Sequence, residues 1–177
     1  MRNVFDTQAT ELMEFIQKLK DAETVTLVSD FLVGTIATVF DPDTGWVPNS
    51  IMDKCDAGAN FVQTQPCFDM GVLRRYMGRI VASKLTHRAS FIVSLAPLPS
   101  ADVAYWMRDN VNGSLVPESI IARMENASDP EREGIEICAE MLREAATIPG
   151  ISGANLTTMG RLETIPTAII ESGVRAS

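Results

Sequence analysis

Residues 54–69 read KCDAGANFVQTQPCFD. The stretch opens on the charged end of a helix, which Gly58 is placed to stop. A short apolar strand, Phe61–Gln65, follows. The chain then passes through Pro66 and Cys67 to Phe68 and Asp69. Core strands ordinarily end in turn residues. This one ends in side chains able to hold a ligand, and Asp69 is placed to cap another helix.

The same alternation extends in both directions. Upstream, Asp6 or Thr7 can cap a helix over 8–21, with Leu12, Met13, Ile16 and Leu19 at helical spacing. Two β-branched runs follow, at 24–29 and 31–37, and predict a buried strand. Asp41–Gly45 is a turn. Pro48 suits the first position of a helix that ends near Ala57. Downstream, Asp69 opens a helix whose inner face is Leu73, Tyr76, Met77, Ile80 and Val81. A strand is predicted over 89–95, and a helix capped by Ser100 runs to about Arg108. Pro117 and Pro130 each read as first-turn prolines, of helices near 117–126 and 130–146. A strand over 151–156 and a helix over 162–172, with Pro166 awkwardly inside it, complete the pattern. Strands separated by helices predict an α/β fold with a parallel sheet and right-handed crossovers.

The chain has 177 residues, suited to one domain over 1–177. Its 46% apolar and 21% charged residues are a globular composition. A net charge of −8 argues against nucleic-acid or anionic-membrane partners. Three cysteines (Cys55, Cys67 and Cys138) with no framework spacing fit a reducing compartment. With His87 the single histidine and no CxxC pair, no metal site is expected. No apolar run reaches membrane-span length, and no signal peptide is read at the N-terminus, so the expected location is the cytoplasm.

In parallel α/β folds ligands gather at the C-terminal ends of strands. Those ends supply Gly34 to Ala37, then Gln63, Thr64 and Gln65, then Ser94, and finally Asn155, Thr157, Thr158 and Arg161. The set is rich in amides and hydroxyls, with one lysine, Lys54, and one arginine. It lacks a histidine base, which suits a site where a cofactor does the hard chemistry. Each residue also has a plain structural reading. Lys54 can be a solvated lysine near a helix C-terminus, and Cys67 a small apolar filler. His87 reads as a loop residue, and Glu131, Glu133 and Glu136 as a solvated helix face.

The opening stretch resembles the methylenetetrahydrofolate reductase family, whose signature is K-x-D-A-G-A-(D/N)-F-x-x-T-Q-x-x-F-D. Lys54, Asp56–Phe61, Thr64, Gln65, Phe68 and Asp69 all match it. Phe31–Ala37, Ser94–Leu98 and Gly150–Arg161 are similar to neighbouring strands of that family. The resemblance implies a partial (β/α)8 TIM barrel: roughly the last four β/α units, with extra helices after the third strand. It implies FAD as cofactor, NAD(P)H as reductant and a folate or related pterin as substrate. By the same resemblance Gln65 sits against the flavin as the catalytic residue and also meets substrate. Lys54 holds the ribityl or phosphate region, Gly34, Thr35 and Ala37 approach the flavin, and Arg161 meets substrate. The family's general-acid glutamate and its Gly-Asp turn belong to strands that would precede Met1, and Thr157 stands where the family has an aromatic residue. A half barrel has two open edges. The expected partner is therefore a second copy or another chain supplying the other half. A non-catalytic pterin- or flavin-binding or scaffold module, or a subunit of a split enzyme, is the alternative.

Overall fold

The computed structural model describes residues 9–21 and 32–174. The predicted strand run at 24–29, Phe31 and the capping residues Asp6 and Thr7 fall outside them. Helix α1 is Ala9–Asp21 and strand β1 is Gly34–Ala37. Helix α2 (Asn49–Asp56), strand β2 (Phe61–Pro66) and helix α3 (Met70–Ala82) follow. Strand β3 is Ser90–Leu95, and α4 (Ala101–Asn110), α5 (Glu118–Asn126) and α6 (Pro130–Ala145) lie between it and β4 (Ile151–Leu156). Helix α7 is Thr164–Ser172.

The four strands form one parallel sheet in the order β1-β2-β3-β4, as the alternation predicted. Sequential order means that each crossover steps one lane in the same direction. The helices consequently collect on one face, as in a segment of a barrel. Residue pairing shows which face. Val62 stands beside Phe91, and Val62, Phe91, Val93 and Leu95 are buried in one core with α3 and α6. Ile36, Gln63, Ile92 and Gly153 share the other side across all four strands. That side is open: Ile36 is 58% exposed and Gly153 is also exposed.

Local chemistry explains the boundaries. The Asp69 carboxylate accepts from the Val72 amide at 2.9 Å, and Ser100 accepts from Val103 at 3.3 Å, so both predicted caps form. Gly58 ends the α2 turn at φ +100°, a conformation in which a side chain is strained. Pro130 begins α6 under an Asp129 cap. Pro48 and Pro117 stand just before their helices, in the capping position. Helix α7 starts two residues later than predicted, which makes Pro166 its third residue. Amides there have no intrahelical acceptor, so the proline costs no hydrogen bond.

Three packing expectations are corrected. Among the described residues β1 is not a buried strand but the edge of the sheet, with Gly34 and Ile36 exposed. Val81 leaves the inner face of α3, whereas Leu73, Tyr76, Met77 and Ile80 are buried. On α1, Met13 and Ile16 pack against Val33, Ala57 and Ala59, but Leu12 and Leu19 face outward.

Burial pushes Cys67, Cys138 and Tyr76 each up to about 12. The folded chain thus keeps protons that the unfolded chain releases from about pH 9 (thiols) and 10 (phenol). Their contribution to stability is whole below that range and is lost as pH rises toward about 12. We expect the urea midpoint to fall steadily between pH 9 and 11. A midpoint constant over that interval would refute the assignment.

Candidate functional site at the strand ends

The QTQ segment does not run straight. β2 and β3 are in register at Gln63 beside Ile92 and again at Pro66 beside Ser94, so β2 carries one extra residue between them. This is a β-bulge, a device that re-aims side chains and is common beside active sites. Thr64 turns inward, 4% exposed, and its hydroxyl accepts from the Ser94 amide at 3.0 Å. The hydroxyl stands in for a ladder carbonyl, so Thr64 is structural.

Gln65 is left half-buried at the sheet's C-terminal end. Among the described residues its amide has no hydrogen-bond partner. It lies against a strap formed by the loop after α4. Leu115 donates to the Pro66 carbonyl at 2.9 Å and accepts from the Phe68 amide at 2.7 Å, so the strap occupies the lane that β1 vacates. A side chain at Gly113 would lie 2.6 Å from the Thr38 hydroxyl and 3.3 Å from the Gln65 Cγ. Gly113, at φ +79°, therefore lets Thr38, Gln65 and the strap meet. The sequence reading did not find Thr38 or the strap. The one local signal for them is Gly113, whose φ of +79° favours glycine.

Lys54 donates from Nζ to the Ile36 carbonyl at 2.8 Å, tying α2 to the edge strand. It also lines a cleft of about 560 Å³ with Ile36, Ala37, Thr38 and Trp46. Small-molecule sites fall in that size range. Phe40, Trp46 and Tyr76 form one wall, with ring centroids 5.0 to 5.6 Å apart. This aromatic wall joins residues far apart in sequence, and no periodicity announces it.

The other predicted residues are less well gathered. Gly34 offers no close approach, because the Phe61 ring fills the space its side chain would take. Thr35 and Ala37 stand beside Val62 and Thr64 and so share the helix-side face. Arg161 is 70% exposed and ion-paired with Glu131 at 3.4 Å and Glu163 at 3.8 Å. Cys67 is fully buried with its thiol pushed up to about 12, unfit as a nucleophile at neutral pH. His87 is exposed in a short 3-10 turn. Asn155 stands beside Ser94, whose buried hydroxyl has no partner. Among the described residues no helix is long and apolar enough to cross a membrane.

The chemistry of the strand ends is hydrogen bonding, with one cation near an aromatic cleft. It can orient a planar polar ring, and among the described residues it contains no acid–base pair of its own.

The model of the methylenetetrahydrofolate reductase family matches residues 6–173. No curated protein matches the chain. Among solved structures, an uncharacterised protein from Clostridium thermocellum that binds two copies of 5-methyl-5,6,7,8-tetrahydrofolic acid is similar in fold. The TM-score is 0.57 at 17% identity, over 92% of this chain and 57% of that one. This chain therefore spans little more than half the length of that neighbour.

Proposed function

Because the chain belongs to the methylenetetrahydrofolate reductase family, we propose that it carries the second half of a reductase barrel acting on one-carbon folates. The reaction is reduction of methylenetetrahydrofolate, or a related pterin, to the methyl form by NAD(P)H through FAD. Bound FAD supplies the hydride relay between nicotinamide and the one-carbon unit. The chain's own residues bind and orient.

The observation that carries this reading is Gln65. Its amide has no partner among the described residues, sits at the bulged end of β2 and falls inside the family signature. An amide presents a donor and an acceptor together, as the edge of a flavin or pterin ring requires. Lys54 spends one N–H on Ile36 and keeps two donors for the ribityl hydroxyls or phosphate of the cofactor. Ala37 lines the same cleft, and Thr35 and Gly34 contribute to β1 rather than touching the ring. Arg161 would release Glu131 to meet an anionic part of the substrate; an ion pair this exposed is worth at most about 1 kcal/mol. The methyltetrahydrofolate bound by the Clostridium thermocellum protein supports this substrate class. A soluble substrate and three free thiols suit the cytoplasm.

Titrating FAD-loaded protein with methyltetrahydrofolate tests the reading. A saturable change in flavin fluorescence is expected; a flat titration counts against it. One observation favours a second reading, a binding or scaffold module: both expected cations, Lys54 and Arg161, are already engaged by protein groups. That module would bind the folate without any NAD(P)H-dependent change in flavin colour.

A further inference from the structure

The aromatic wall of the Lys54 cleft belongs to a loop, and the loop is held in place from α3. It spans residues 40–47, between two buried residues, Val39 and Pro48. Phe40, Trp46 and Val47 line the cleft, while Asp41, Asp43, Thr44 and Gly45 are exposed. Every residue of the loop is at least partly exposed, so the core does not fix it.

Helix α3 supplies the support. Tyr76, 2% exposed, is a fixed base, and the Phe40 and Trp46 rings rest on it at 5.6 and 5.2 Å. Arg75 grips the Asp41 carboxylate with two donors, at 2.7 and 2.8 Å. Arg79, one helical turn on, donates to the Asp43 carbonyl at 3.2 Å. The same carbonyl accepts from the Trp46 amide at 3.0 Å. Each arginine therefore holds the backbone next to one ring. Arg75 acts beside Phe40, and Arg79 reaches Trp46 through a single carbonyl. The Arg75 and Asp41 side chains are 55% and 59% exposed, and pairs so exposed add little to folding stability. What the two arginines fix is the shape of the cleft.

We propose that residues 40–47 form a lid on the cleft and that Arg75 and Arg79 are its positioning residues, setting how tightly the cleft holds the planar ring of a nucleotide cofactor. The inference rests on the reading that FAD uses this cleft. A wall already in place need not be ordered by the ligand, so the grip raises affinity by preorganisation. It also slows escape, because a loop over a bound ligand must open before the ligand leaves. Without the grip the loop hangs from its two buried ends, and openings of such weakly packed segments have a low free energy.

Trp106→Phe on α4 leaves Trp46 the single tryptophan of the chain, so its fluorescence reports the lid with or without ligand. In that background Asp41→Asn, Arg75→Gln and Arg79→Gln are compared with their parent by acrylamide quenching and by FAD titration. Quenching of Trp46 should rise roughly twofold in each variant as the loop opens more often. The Kd for FAD should rise about five- to tenfold with the loss of preorganisation. Asp41→Asn combined with Arg75→Gln should be no weaker than either alone, because the two side chains act as one unit. Arg75→Lys, which keeps the charge but not the two-pronged grip, should recover part of the affinity. The melting temperature should move by no more than about 1–2 °C, since the pair is exposed. Unchanged quenching overturns the lid. FAD held as tightly by the variants as by the parent overturns the positioning role and leaves the cofactor reading standing. FAD bound by none of the proteins overturns the cofactor reading and this inference with it. A melting temperature that falls in parallel with affinity also overturns the inference, because the arginines are then structural.

Discussion

Gln65→Ala is expected to weaken methyltetrahydrofolate binding at least tenfold while shifting the melting temperature by no more than about 1–2 °C. Gln65 is half-buried and its amide has no partner among the described residues. Removing it therefore breaks nothing in the fold, and exposed or half-exposed changes of that kind usually stay within about 0.5 kcal/mol. In the complex the amide would make one or two hydrogen bonds, each about 0.5–1.5 kcal/mol, and 1.4 kcal/mol is a factor of ten. Calorimetric binding and thermal melts on the same preparation separate the two effects. Affinity and stability falling together would show that Gln65 is structural, a spacer between the bulge and the strap.

Gly134→Ala should do the reverse, lowering stability by about 3 kcal/mol or more and the melting temperature by roughly 6–12 °C. In an open helix this substitution stabilises by about 1 kcal/mol. Here α6 lies directly on the loop after β3. A methyl group would run into the Leu98 carbonyl oxygen, with the Leu98 C and N only 2.8 and 2.9 Å away. The obstacle is backbone, and Pro97 and Pro99 on either side of Leu98 stiffen it. The chain therefore cannot yield as a flexible side chain would. A melting temperature that stays or rises would mean that the α6–Leu98 contact is looser than described.

What was legible in the sequence follows from this physics. The alternation of elements and their caps could be read because each depends on a few neighbouring residues. Asp69, Ser100, Asp129 and Gly58 all act within four positions of themselves. The buried or exposed state of β1 could not be read. Its β-branched composition speaks for burial, but burial depends on what lies beside the edge, and no local pattern carries that. The outward turn of Leu12 and Leu19 has the same origin: a helix stripe is apolar whether its partner belongs to the same chain or another.

The site was half legible for a related reason. Gln65 could be named because it ends a strand inside a long signature. The bulge could not, because it arises from register between β2 and β3, two segments about thirty residues apart. Its effect is to convert Thr64 from a candidate ligand group into a ladder acceptor and to leave Gln65 free. Likewise the strap reaches Pro66 from residue 115, so Thr38 and Gly113 became neighbours of Gln65 only in the folded chain. Lys54 could be named from the signature, but its bond to the Ile36 carbonyl could not, because that bond joins α2 to a strand eighteen residues away.

Flavin-dependent reduction at these strand ends, as proposed, is tested by one spectrum. The purified chain is reconstituted with FAD, freed of unbound flavin and treated anaerobically with NAD(P)H. The expected result is a flavin band that stays with the protein, bleaches with NAD(P)H and returns on adding methylenetetrahydrofolate. A protein that retains no flavin, or whose flavin is indifferent to both reactants, would contradict it.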